Sequence, residues 1–247
     1  MELKDFFSEH PKAALAFSGG VDSTYLLWAA LELGADVRPY CVVSAFQPAF
    51  ERAEAEELCA RLGVELVTLP VDVLARSEVA ANPADRCYHC KVGILSAIRA
   101  RAGEDGYETL LDGTNASDDA GDRPGMRALR EFGVLSPLRL CGLTKQEIRQ
   151  RSREAALPTW DKPAYACLAT RIPTGTAITP ELLERVEGAE GALRELGFRD
   201  LRVRFFHGAA RVQLPAAQLT RAAEGAEIIR KALAPWFSTV LLDLEGR

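Results

Sequence analysis

Two short strings in this 247-residue chain place reactive residue types at spacings suited to chemistry. The first is Ser18-Gly19-Gly20-Val21-Asp22-Ser23, set between the apolar run Ala13-Ala14-Leu15-Ala16-Phe17 and a helical pattern from Ser23 to Leu31. Lacking Cβ atoms, Gly19 and Gly20 permit a sharp turn and let backbone N–H groups approach an anion closely. The helix start adds unpaired N–H donors and a partial positive charge, so the string reads as a phosphate site. Hydroxyls of Ser18, Ser23 and Thr24 can donate to phosphate oxygens, whereas Asp22, a poor partner for phosphate itself, fits beside a Mg²⁺ ion. A plain strand-to-helix turn with serine capping is the competing reading.

The second string is Cys87-Tyr88-His89-Cys90, flanked by Arg86 and Lys91. Two thiols three residues apart at a helix start can ligate one metal or cluster, and the neighbouring positive charges favour thiolate. The same spacing also suits a redox pair or half of a zinc site, and the other half of a Cys₄ zinc site is absent. Cys167, in Ala164-Tyr165-Ala166-Cys167-Leu168-Ala169-Thr170-Arg171, lies in a segment rich in breakers, where a reacting sulfur can travel. Cys41, Cys59 and Cys141 stand among apolar residues and read as buried, inert thiols. His89 fits a ligand or a solvent-facing ring equally well, and His10 and His207 have no partner pattern.

The elements that must position these residues follow from periodicity. Strands are expected at 13–17, 36–44 and 64–69, with helices at 23–31 and 48–62 between them. This β-α-β-α-β alternation predicts a doubly wound α/β fold, a parallel sheet covered on both faces, with ligands at the carboxyl ends of the strands. Ser44, Ala45 and Phe46 end the second strand on that edge, where backbone groups can hold adenine; core packing is the other reading for Phe46. A helix at 88–102 leads to a strand at 107–111, then to the polar run Asp112-Gly113-Thr114-Asn115-Ala116-Ser117-Asp118-Asp119 on the same edge. A tight turn built by Asx side chains is the bland reading of that run.

Thr144 and Glu147 form a capping box that starts a helix running to Ala155, with Lys145 a secondary candidate for phosphate contact. From 157 to 179, Pro158, Pro163, Pro173 and Gly175 forbid a regular element, and loops of this length are usually functional or disordered. After Pro180 the pattern changes to a helix (181–196), alternating strands at 201–206 and 210–214, a further helix and a last strand at 239–243. Two domains are expected: 1–173, and a smaller α+β domain, 174–247.

Net charge is −5 with pI near 5.4, which disfavours a surface built to neutralise nucleic-acid phosphates. No apolar stretch approaches bilayer length, and the acidic, mixed start Met1-Glu2-Leu3-Lys4-Asp5 is unlike an export signal, so a cytoplasmic protein without a membrane partner is expected. Six scattered cysteines do not make a disulfide framework.

The glycine string lacks the lysine and wider spacing of a Walker A loop; it resembles the PP-loop of the ATP pyrophosphatases (adenine nucleotide α-hydrolase-like fold). That resemblance implies AMP-forming chemistry, in which a substrate oxygen attacks the α-phosphate of ATP and pyrophosphate leaves. The polar run resembles the second loop of that group, which implies that Asp112, Thr114 and Asn115 shape the nucleotide site and that Asp118 partners Mg²⁺.

Taken together, the PP-loop, Cys-Tyr-His-Cys-Lys, Asp-Gly-Thr-Asn, Ala-Cys-Leu-Ala-Thr-Arg-Ile-Pro-Thr-Gly-Thr and Leu-Arg-Val-Arg resemble the LarE family over almost the whole chain. The resemblance implies an ATP-dependent sulfur transferase for nickel-pincer nucleotide biosynthesis, which serves lactate racemase. A carboxylate of pyridinium-3,5-biscarboxylic acid mononucleotide is adenylated and becomes a thiocarboxylate. Some members sacrifice the sulfur of a cysteine at the Cys167 position; others bind a [4Fe-4S] cluster on three cysteines. This chain has all three positions, Cys87, Cys90 and Cys167, and resembles the cluster type.

The resemblance also gives Arg202 and Arg204 the substrate phosphate, and as residues i and i+2 of a strand they share a face. Arg171, as a catalytic residue, and Glu190, as a substrate contact, match further site positions, while Gln213 stands where some members have an acid. An inorganic sulfide donor and a homo-oligomer are expected. The alternatives are a tRNA thiolase, which needs a basic surface or RNA-binding domain not seen here, an ammonia-using synthetase, with no use for the three cysteines, or a non-catalytic nucleotide-binding module.

Overall fold

Alternation along one strand sets the main architecture. In the computed structural model, which describes residues 1–118 and 124–246, the elements begin α1 (Leu3–Glu9), β1 (Lys12–Ala16), α2 (Val21–Glu32), β2 (Asp36–Val43), α3 (Ala49–Arg61) and β3 (Val67–Pro70). They continue α4 (Ser77–Ala80), α5 (Arg86–Glu104), β4 (Leu110–Leu111), α6 (Pro124–Glu131), α7 (Pro137–Leu140) and α8 (Lys145–Glu154). Ala13, Leu15 and Phe17 pack into one apolar core with residues of α1, α2, α3, α7 and α8, among them Phe6, Leu26, Leu58, Leu138 and Ile148. Ala14 joins a second core with Leu95 and Ile98 of α5 and Leu129 of α6. From Ala13 on, both faces of β1 are therefore buried, which explains the uninterrupted apolar run that follows the exposed Lys12.

The four strands are all parallel, in the order β3-β2-β1-β4. The chain steps outward from β1 to β2 to β3, then returns to place β4 on the other side of β1. Connections after β1 and β4 thus leave in opposite directions, and the crevice beyond their carboxyl ends is the topological switch point where such sheets take ligands. The glycine string follows β1 and the polar run follows β4, so both open there.

Two strands start later than periodicity suggests, for one reason. Val64 and Tyr107 close helices instead of opening strands. Val64 N–H donates to the Cys59 carbonyl at 3.0 Å and Gly63 N–H to Ala60 at 3.1 Å; Tyr107 and Gly106 repeat the pattern on Ala102 (2.8 Å) and Gly103 (3.1 Å). With Gly63 at φ +72° and Gly106 at φ +78°, these are Schellman ends, in which an apolar residue follows the left-handed glycine. The expected strand at 107–111 accordingly shrinks to Leu110–Leu111. Helices α1, α4, α6 and α7 are additions to the expected set. Asp119, at the end of the polar run, lies outside the described residues.

The chain groups into two units, Met1–Asp72 with Asp85–Tyr165, and Val73–Ala84 with Ala166–Arg247. The second contains α4, α9 (Pro180–Glu195), β5 (Arg202–Phe206), β6 (Ala209–Gln213), α10 (Ala216–Glu224), α11 (Ala226–Leu233) and β7 (Val240–Leu242). Its sheet has the order β5-β6-β7, antiparallel then parallel. The single helix expected before the last strand is two, divided at Gly225. Asn82 ties 73–84 to this unit: its side-chain amide donates to the carbonyls of Pro173 at 2.8 Å and Thr176 at 3.1 Å, and its own carbonyl accepts from Gly175. The breaker-rich segment 157–179 carries one 3₁₀ turn, Leu168–Arg171. Among the described residues, no helix is long and apolar enough to cross a membrane.

Candidate active site

The glycine string is a tight turn onto α2. Gly19 sits at φ +68°, and a Cβ there would meet the Ala55 side chain at 3.1 Å, so both its conformation and its neighbour demand glycine. Ser18 and Ser23 hydroxyls are 3.2 Å apart, and Ser23 also donates to the Gly20 carbonyl at 3.2 Å. Gly20 is the N-cap of α2 and provides no side-chain cap. Thr24 in the first turn is fully buried, and its hydroxyl has no hydrogen-bond partner among the described residues, which leaves unmet polar demand at the helix start.

The polar run packs directly on this turn. A Cβ on Gly113 would come within 2.9 Å of the Ser23 backbone nitrogen, so only glycine lets the two loops approach. Asn115, buried, donates from its amide to Asp22 at 3.3 Å. Asp22 also pairs with the ammonium of Lys145, the first residue of α8, whose capping box of Thr144 and Glu147 forms as expected. Asp112 accepts from Thr114 N–H at 3.2 Å, from the Thr114 hydroxyl and from Ser136 at 2.6 Å. Asp112 and Thr114 therefore build the loop by an Asx-type turn. The Asp118 carboxylate is exposed and accepts the Asn115 N–H at 2.8 Å. Ser44 likewise closes its own turn, accepting from Phe46 N–H at 3.3 Å, and Phe46 is buried beneath the Arg86 guanidinium.

Cys87 is exposed and Cys90 half-buried, one turn apart at the start of α5. The Arg86 guanidinium donates to Cys87 Sγ at 3.5 Å. Tyr88 between them is fixed by a 2.7 Å hydrogen bond to Glu131 and by Arg127 over its ring, both on α6. His89 pairs with Asp85 at 3.2 Å. Burial pushes the Cys59 thiol up to about 12 and raises those of Cys41 and Cys141, which keeps all three protonated. Cys167 belongs to the second unit, where it is exposed and caps the 3₁₀ turn. Within either unit, among the described residues, no three His, Cys, Asp or Glu side chains are gathered as a metal site.

In the second unit Arg171 and Glu190 are fully buried and form a two-pronged ion pair at 2.7 and 3.1 Å. Arg171 also donates to the Ala166 carbonyl at 2.7 Å and the Cys167 carbonyl at 3.4 Å. Glu190 accepts from Val203 N–H on β5 and from Arg194, both at 3.0 Å. Both residues thus act on the backbone around Cys167 and β5. Arg204 donates to Gln213 at 2.6 Å and to the Thr170 carbonyl; Gln213 in turn donates to Asp243 at 2.6 Å, which Arg211 pairs at 2.8 Å. The Gln213 hydrogen bond, aided by Arg211, holds the Asp243 carboxyl below the usual carboxylate range. A cavity of about 440 Å³ opens here, lined by Thr170, Arg171, Arg204, Phe206, His207 and Arg211 among others. His207, at φ +48°, and Gly208, at +87°, make the two-residue turn between β5 and β6 at its edge. Arg202 is buried on the same strand.

No protein-family model matches the chain. It is 37% identical to an uncharacterized protein of Synechocystis over 99% of its own length and 92% of that protein. A second relative, 28% identical, is an uncharacterized protein of Methanocaldococcus jannaschii, covering 98% of this chain and 93% of that one. The relative that decides the matter is the pyridinium-3,5-bisthiocarboxylic acid mononucleotide synthase of Lactiplantibacillus plantarum, 34% identical over 84% of this chain and 76% of that enzyme. The chain belongs to the LarE family.

Two residues singled out in the sequence, Gln213 and Lys145, acquire a physical setting here that spacing alone did not give. Gln213 links Arg204 to the carboxylate of Asp243, just past the end of β7. Lys145 emerges as a charge partner of Asp22 in the glycine string; its signal was its place at the start of a capped helix on the ligand edge. Replacing the buried guanidinium tests the Arg171 arrangement. Arg171→Lys keeps the charge but loses the fork geometry, and is expected to cost about 1–3 kcal/mol of stability. The measurement is the melting temperature of the full-length protein, and an unchanged value would remove Arg171 from the framework of this unit.

Proposed function

We propose that the protein is an AMP-forming, ATP-dependent sulfur transferase acting on pyridinium-3,5-biscarboxylic acid mononucleotide in nickel-pincer cofactor biosynthesis. The observation that carries this reading is the glycine turn at the switch point, with Asp22, Lys145 and Asn115 gathered on it, in a relative of a named synthase of the matching product. A substrate carboxylate oxygen attacks the α-phosphorus of ATP, the bond to the β-phosphate breaks, and pyrophosphate leaves. Hydrosulfide then adds to the acyl carbon, AMP departs, and a proton is released, leaving the thiocarboxylate.

The PP-loop binds the β- and γ-phosphates through the N–H groups and hydroxyls at the α2 start, and Lys145 neutralises charge there. Asp22 would hold Mg²⁺, with Asp118 assisting; its half-exposed carboxylate on the loop edge suits an oxygen-preferring cation. Mg²⁺ when bound offsets the phosphate charge. In the second unit, the arginine-lined cavity, with Arg204 in its lining, suits the phosphate of the mononucleotide; Arg202, buried on the same strand, is the second proposed contact. Cys87, Cys90 and Cys167 would hold a [4Fe-4S] cluster, and their accessible thiols are the donor type that such clusters take. When bound, the cluster supplies an iron for exchangeable sulfide.

Full-length protein incubated anaerobically with ATP, Mg²⁺, sulfide and the pyridinium dicarboxylate mononucleotide is expected to form AMP and pyrophosphate in equal amounts and a product bearing a thiocarboxylate. Formation of ADP, or no nucleotide turnover with that substrate, would overturn the assignment.

A further inference from the structure

Lys162, in the proline-containing segment after α8, has no part in the chemistry described above. Its side chain is only 17% exposed, and its ammonium reaches Glu54 of α3 at 2.7 Å and the carbonyl oxygen of Gly19 at 3.1 Å. The backbone carrying it is fixed. Arg149 of α8 donates to the carbonyls of Trp160 and Lys162, each at 2.7 Å, so the ammonium is aimed at the PP-loop by a braced segment.

The contact matters because of what lies on the other end of the same peptide. The Gly19 carbonyl and the Gly20 N–H belong to one planar trans unit, in which the two bonds point in opposite directions. Holding the carbonyl on the Lys162 side turns the Gly20 N–H the other way, toward Ser18 Oγ at 3.4 Å, where the Ser18 and Ser23 hydroxyls meet. Glycine on both sides leaves this peptide few steric reasons to keep one orientation. A cation on the carbonyl oxygen supplies such a reason, and by polarising the peptide it strengthens the N–H as a donor. Glu54 holds the ammonium on the carbonyl side of the loop, away from the anion side.

We propose that Lys162 is a positioning residue of the PP-loop: it fixes the Gly19–Gly20 peptide so that the Gly20 N–H faces the phosphate chain of the nucleotide. This rests on the reading of the loop as the ATP phosphate site. The role differs from direct ion pairing with phosphate, since a neutral donor at the same place performs it.

The test measures binding of Mg²⁺-free inorganic pyrophosphate and of ATP to full-length protein by calorimetry, with ATP KM and kcat from AMP release. Partners that orient a binding group from behind typically contribute about 10- to 100-fold, so Lys162→Met is expected to weaken both ligands by that order and to raise KM more than it lowers kcat. Lys162→Gln, which keeps an N–H donor for the Gly19 carbonyl, recovers most of the loss. Wild-type protein that binds neither ligand overturns the nucleotide reading and the inference with it. Normal binding by Lys162→Met, or Lys162→Gln as weak as Lys162→Met, overturns the inference alone. Should Lys162→Met not fold, ¹⁵N-glycine labelling of wild type decides: the Gly20 amide resonance shifts downfield on pyrophosphate binding, and a Gly20 amide that stays still while pyrophosphate binds refutes the role.

Discussion

Asp22→Asn is expected to lower AMP and pyrophosphate formation by about 10²- to 10³-fold, the usual cost of removing one preorganised electrostatic contact from a reacting centre. The substitution keeps the shape of the side chain and its place beside Asn115, but removes the charge facing Lys145. Two consequences separate it from a folding defect. The carboxylate is partly exposed and away from the apolar core, so the melting temperature is expected to stay within the range of ordinary surface changes. The Mg²⁺ concentration needed for half-maximal turnover is expected to rise, because the anionic oxygen proposed to hold the cation becomes a neutral amide oxygen. Pyrophosphate release recorded across a Mg²⁺ titration gives the turnover and the Mg²⁺ requirement, a thermal melt gives the stability, and wild-type turnover in the variant would displace Asp22 from the reaction.

The fold was legible wherever burial dictated the pattern. β1 is buried on both faces, so its apolar run announces a central strand, and the helices at 21–32 and 49–61 follow the periodicity on either side of β2. The capping box at Thr144 and Glu147 marks a helix start by local hydrogen bonding alone. Errors came where one residue serves two possible elements. Val64 and Tyr107 are apolar and follow glycine, a pattern that opens a strand or seals a helix, and only their hydrogen bonds to Cys59 and Ala102 decide.

In the candidate site, the strings themselves were legible, but which residue pairs with which was not, even for Lys145, whose place at a helix start had marked it. Nothing near Asp22 in sequence points to Lys145, 123 residues on, nor near Gly19 to Lys162, 143 residues on. Nothing in the spacing of Arg171 and Glu190 announces that they pair with each other in the interior and that Arg171 holds the Cys167 carbonyl. Likewise Asp243, at the end of a short last strand, gains meaning only through Gln213.

Replacing Cys87, Cys90 or Cys167 singly by Ala is expected to abolish sulfur transfer while adenylation of the substrate continues. The separation follows from structure: the glycine turn draws its contacts from α2, α8 and the loop after β4, through Ser18, Ser23, Asp22, Asn115 and Lys145. Each variant should also fold, since Cys87 and Cys167 are exposed and Cys90 half-buried, so little packing is lost. If the three hold one cluster, iron content and the visible absorption of anaerobically purified protein disappear together with thiocarboxylate formation in every variant. A sacrificial cysteine predicts a different pattern. Only Cys167 is then essential, Cys87→Ala and Cys90→Ala keep one turnover, and each turnover leaves the protein lighter by the mass of hydrogen sulfide as Cys167 becomes dehydroalanine. Intact-protein mass spectrometry after a single turnover, run beside iron and sulfide analysis, separates the two. An unchanged mass with iron bound supports the cluster, and dehydroalanine at position 167 in active, iron-free wild-type protein would reject it.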